Sequence, residues 1–114
     1  MGRALGEFEQ LILFALVELD DDAYGASIGR SIEDRTDRPV SAGAVYTALD
    51  RLESRAFVTS HVGEPTAERG GRRKKFYRIA PEGALELNRA VERMKAMSDG
   101  LVPKLQGLAK GTPR

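Results

Sequence analysis

Arg69-Gly70-Gly71-Arg72-Arg73-Lys74-Lys75-Phe76-Tyr77-Arg78 is the stretch on which the fold turns. It holds six positive charges in ten residues and no acid, within 114 residues whose net charge is only +1. The charge is therefore a local patch and not a general excess. Two glycines at its head let the backbone come close to whatever the charges meet. A β-like segment, Lys75 to Ile79, comes immediately after, and Phe57 to Val62 upstream offers it an antiparallel partner. The twelve residues between them, Gly63 to Lys74, are too many for a tight turn and form a long loop, acidic at Glu64-Pro65-Thr66 and basic at its end. A cationic hairpin tip suits a phosphate backbone. The plain alternative is a solvated turn that keeps the protein soluble, so its neighbours decide the matter.

Working outward from the hairpin, the chain before it reads as three helices. Glu7 to Leu19 is the first, and its run Leu11 to Val17 leaves almost no polar face, which places it centrally in the core. Asp20-Asp21-Asp22 stops it and can cap the next helix. Tyr24 to Asp34 is the second, with Tyr24, Ile28 and Ile32 on one apolar stripe. Gly25 and Gly29 each cost about 1 kcal/mol of propensity relative to Ala, a cost commonly tolerated where another backbone approaches. Thr36 to Val40 is a connector containing Pro39. Ser41 to Arg55 is the third helix, with Ser41 as its N-cap and Val45, Ala48, Leu49 and Leu52 facing inward. Its opposite face carries Ala42, Gly43, Tyr46, Thr47, Asp50, Arg51 and Ser54. The first turn, Ser41-Ala42-Gly43-Ala44, is small and uncharged. A small turn can press into a groove, and its free N–H groups favour an anionic neighbour.

After the hairpin, Pro81-Glu82-Gly83 opens a last helix of about Glu82 to Val102, ended by Gly100 and Pro103. Leu87, Val91, Met94, Ser98 and Leu101 recur at spacings of 4, 3, 4 and 3, a seam suited to packing on another helix. The competing expectation is that this helix folds back on its own domain. Lys104 to Arg114 reads as a frayed tail.

Mainly α with a small β-hairpin is thus the expected class, in three parts. Residues 1–80 form a winged helix-turn-helix, in which the third helix enters the major groove and the hairpin meets the DNA backbone or minor groove. Residues 81–102 form a dimerisation helix, and residues 103–114 a flexible tail. Catalytic chemistry has little material, so an enzyme is not expected and neither is a cofactor. There is no cysteine, and the lone histidine, His61, sits in a strand with no second histidine beside it, so no catalytic or metal set is expected. The longest strongly apolar run, Leu11 to Val17, is too short to span a bilayer, and no leader is evident. A cytoplasmic location and no membrane partner are the expectation.

From Leu5 to Met97 the chain also resembles the PadR-like family of bacterial transcription regulators. The stretches that carry the resemblance are Leu5-Gly6-Glu7-Phe8-Glu9-Gln10, Ala23-Tyr24-Gly25, the third helix from Ser41 through Glu53, Gly70 through Ile79, and Pro81-Glu82-Gly83. The short C-terminal part resembles the small branch of the family, with one long dimerisation helix. The resemblance implies a homodimeric repressor that leaves double-stranded DNA when a small-molecule effector binds or conditions change. Some small members stack flat aromatic drugs between the two dimer helices. This chain has no tryptophan and places Met94 at the centre of the seam, so a plainly packed seam is expected.

Candidate DNA contacts are Ser41, Ala42, Gly43 and Thr47 in the groove, with Thr47 able to donate, accept or touch a thymine methyl. Arg51, one turn on, should reach a phosphate unless it pairs with a neighbouring acid. Tyr46 has two candidate jobs, bonding a phosphate or packing under the wing, and the family resemblance favours the first. Gly70, Gly71, Arg72, Arg73 and Lys74 are the expected backbone contacts on the wing. Tyr24 either caps the second helix against the backbone or fills the core, and the core is the expectation. The candidate dimer contacts are Leu87, Val91, Met94 and Leu101. Two other readings of the same fold are a protein-interaction module binding an acidic partner and an RNA binder, although no exposed aromatic pair offers itself for stacking on bases.

Overall fold

The structure, a computed structural model, describes residues 3–63 and 74–111. The elements run α1 (Glu7–Leu19), a 3-10 turn (Asp20–Asp22), α2 (Gly25–Thr36), α3 (Ala42–Ser54), β1 (Val58–Val62), β2 (Lys75–Ile79), α4 (Pro81–Ser98) and α5 (Val102–Gly111). The strands pair antiparallel, with Val58 opposite Ile79, Ser60 opposite Tyr77 and Val62 opposite Lys75. Gly63 N donates to Lys74 O at 2.8 Å and carries the ladder one step further.

The local sequence explains most boundaries. Glu9 reaches back from the first turn of α1 to accept from Gly6 N at 2.9 Å. Ser27 does the same for α2, accepting from Tyr24 N at 2.9 Å while its hydroxyl donates to Asp22 O at 2.6 Å. Ser41 caps α3 as expected, its hydroxyl accepting from Ala44 N at 3.1 Å. Each bond satisfies a donor at a helix start or in the chain leading into it.

The core joins Ile12, Leu13 and Leu16 of α1 to Ile28 of α2, Val45, Leu49 and Leu52 of α3, Val58 and Tyr77 of the hairpin, and Leu87 of α4. Helix α1 is central, as its apolar run implied, yet it is not buried all round. Phe14 and Val17 are 48% and 57% exposed and line an open groove between α1 and α2 with Leu11, Ile32 and Arg35. The hairpin is stapled to the helices. Tyr77 N donates to Ala23 O at 2.8 Å, and Tyr24 forms an isolated β-bridge with Phe76. At the root of α4, Ala80 N donates to Phe57 O at 2.9 Å, and a Cβ on Gly83 would lie 2.2 Å from that same oxygen. Glycine is required there by the close approach of the two backbones.

The C-terminal region departs from the sequence reading. Helix α4 ends at Ser98 and not at Val102, and residues expected to fray form α5. Gly100 takes the left-handed conformation, φ +75°, and Leu101 N turns back to Ser98 O at 2.8 Å. Pro103, read as a stop, occupies the first turn of α5, where no intrahelical N–H is needed.

Candidate nucleic-acid interface

Helix α3 turns one side into the core and leaves the other in solvent. Ala42, Gly43, Ala44, Tyr46, Thr47, Asp50 and Arg51 are all exposed. The exposed side has two flanks set by the helical repeat. Gly43, Thr47 and Arg51 border a shallow depression beside Arg3 and the start of α1. Tyr46, on the other flank, leans toward α2 and the hairpin. A Cβ added at Gly43 would meet nothing within 4 Å, so its smallness serves no packing inside the chain.

Tyr46 is 46% exposed, but its hydroxyl is tucked against the start of α2, where a Cβ on Gly25 would come within 2.1 Å of it. The neighbour that demands glycine at position 25 is therefore a side chain, not the backbone expected. Gly29 has only ordinary contacts, 3.9 Å to Val40 and Val45, and no close approach explains it. Beneath Tyr46, Tyr77 is buried. Burial pushes its phenol above the ordinary tyrosine range, and the nearby Tyr46, Asp50 and Glu53 act in the same direction.

Arg51 makes no ion pair among the described residues, so the intrahelical alternative is not formed. Gly70, Gly71, Arg72 and Arg73 lie outside the described residues. Lys74 is described and exposed, with its ammonium 4.2 Å from the centroid of the Tyr24 ring. Tyr24 is not a core residue. It is only partly buried, packs edge-on against Phe76 at 5.6 Å between centroids, and accepts a hydrogen bond from Arg30 at 3.2 Å. The hydrogen bond from Arg30, with the charge of Lys74 beside it, holds the Tyr24 phenol below its ordinary value against the opposing effect of burial. His61 is an exposed strand residue stacked on Phe76.

The candidate dimer residues divide. Leu87, 5% exposed, belongs to the chain's own core, and Val91 is half-buried. Met94 and Leu101 are 68% and 51% exposed, with Leu101 beyond the end of α4. Met97, Val102 and Leu105, also exposed, were not among the expected contacts. Among the described residues, no His, Cys, Asp and Glu cluster could hold a metal, and no helix is long and apolar enough to cross a membrane.

Three helices, an antiparallel hairpin pinned to the second helix, and a third helix with an open outer face define a winged helix-turn-helix protein. A family model described as the transcriptional regulator PadR-like family matches residues 12–89, and the chain belongs to that family. A comparison with curated proteins found no match. Among solved structures, a PadR family transcription regulator from Clostridium difficile is 26% identical with a TM-score of 0.72, covering 88% of this chain and 99% of that one. A transcriptional regulator from Clostridium thermocellum is 27% identical with a TM-score of 0.67, covering 92% and 89%. Bacillus subtilis PadR, solved with operator DNA, shares the fold at 19% identity and a TM-score of 0.63, covering 74% of this chain and 46% of that one.

Proposed function

We propose that this chain is a sequence-specific double-stranded-DNA-binding regulator, a homodimeric repressor acting on an inverted-repeat operator and released by an effector. The observation that carries the DNA reading is that the open first turns of α3 and the basic loop end of the hairpin at Lys74 are joined through Tyr24, Gly25 and Tyr46. A small helix start beside a fixed cation suits a duplex, where the helix reads base edges and the cation holds a phosphate. The solved complex of Bacillus subtilis PadR with operator DNA supports the reading. The exposed apolar residues Met94, Met97 and Leu101 support a second copy.

The test is selection of bound sequences from random DNA, then binding over a salt series. Selected sites should be inverted repeats with half-site centres about 10 bp or a multiple apart. Thr47→Ala should cost about 1–3 kcal/mol on the selected site and relax one position per half-site. Random-duplex affinity should change little. No duplex binding at low salt would overturn the reading, and sites without a dyad would overturn the homodimer.

A further inference from the structure

Among the described residues of the winged domain, several arginines face a carboxylate. Arg35 pairs with Glu18, Arg38 with Glu7 at 3.1 Å, and Arg78 with Asp21. Arg30 and Lys74 do not, and neither do Arg51, Arg55 and Lys75, but only Arg30 and Lys74 converge on one side chain. Among the described residues neither has a carboxylate oxygen within 4 Å, although Glu18, Asp22 and Asp34 border the same depression as Arg30, Glu18 being paired with Arg35. These two cations instead meet at one phenol. Arg30 Nη2 donates to Tyr24 Oη at 3.2 Å, and Lys74 Nζ stands 4.2 Å from the centroid of the same ring.

We propose that Tyr24, Arg30 and Lys74 form a phosphate site at the junction of α2 and the hairpin, which holds one backbone phosphate of a bound duplex. The inference rests on the DNA-binding reading and adds Tyr24 and Arg30 to it. The chemistry fits a phosphodiester. Because the Tyr24 oxygen accepts from Arg30, its own proton is left to donate outward. A guanidinium, an ammonium and a phenol then present donors to a ligand whose oxygens only accept. The ring is held in place edge-on to Phe76, and the backbone around it is held by the Tyr24–Phe76 bridge. The site is continuous with the outer face of α3, since Gly25, the next residue, carries the Tyr46 hydroxyl against it. Two cations left without carboxylates around a fixed donor are what a preorganised anion contact needs. The lowered phenol agrees with positive charge on two sides of it.

The experiment measures binding to a random-sequence duplex over a salt series for the parent, Arg30→Met, Tyr24→Phe and Arg89→Met. Arg89 lies on α4 and pairs with Glu86, so its variant controls for loss of one charge. Arg30→Met should reduce the slope of log affinity against log salt by about 0.9 per protomer, the signature of one lost phosphate contact. Tyr24→Phe keeps the ring and should weaken binding roughly 3- to 10-fold, the worth of one hydrogen bond, with the slope nearly intact. Arg89→Met should leave both quantities unchanged. If the parent binds and Arg30→Met keeps the slope of Arg89→Met, the site is overturned and the function stands. A parent without duplex binding overturns the functional reading itself.

Discussion

Leu87 and Met94 lie on the same face of one helix, two turns apart, yet Leu87 is 5% exposed and Met94 is 68% exposed. The apolar spacing that links them does not distinguish them. What differs is the surroundings. The first turns of α4 lie against α1 and the start of β1, whereas the distal turns run past the end of the winged domain. Hydrophobic periodicity reports that a face is to be covered, and it does not report which chain covers it. The proximal half is answered within the chain. The distal half is open, and on α5 Val102 and Leu105 are exposed as well.

The contrast can be broken most sharply at Met94. In a dimer seam, Met94→Glu would bury an unpaired carboxylate from each copy at about 3–5 kcal/mol apiece. Sedimentation at micromolar concentration should then give monomer for the variant and dimer for the parent. A monomeric parent would remove the contrast, because an exposed substitution in a monomer is worth only about 0.5 kcal/mol. Leu87→Ala tests the proximal half. It should cost about 2–5 kcal/mol in denaturant unfolding by opening a core cavity, and leave the association state unchanged. The smallest effect is expected at Leu105→Ser on α5, within about 0.5 kcal/mol in thermal unfolding. A larger loss would show that a partner reaches α5 as well.

Much of the winged domain was legible in the residues, for local reasons. The inward stripe of α3, the Ser41 cap and the bounds of β2 each arise from spacing or chemistry within a few positions. The C-terminal break was not legible, because Gly100 and Pro103 carry opposite meanings by context. A glycine after a helix and a proline beyond it read as termination, yet the same proline is suited to the first turn of a new helix. The exposed side of α1 was missed because an apolar run says how greasy a helix is and not how many neighbours it has. The Tyr24, Arg30 and Lys74 cluster was illegible for another reason. Arg30 and Lys74 approach one ring only because β2 is pinned to the start of α2, and no sequence period joins such distant positions. The seat of the Tyr46 hydroxyl against Gly25 is of the same kind.

The tight joint at Gly83 has a consequence for the geometry of any two-copy assembly. With a carbonyl oxygen 2.2 Å from where a Cβ would sit, α4 has little room to swivel on its root. It therefore acts as a ruler with a fixed phase. One residue inserted between Gly83 and Met94 would rotate the distal face by about 100° and misdirect it. Seven would restore the face to within about 20°. They would also carry Met94 about 10 Å further from the winged domain of its own copy. In a homodimer of the proposed kind, the length of α4 would set the spacing of the operator half-sites.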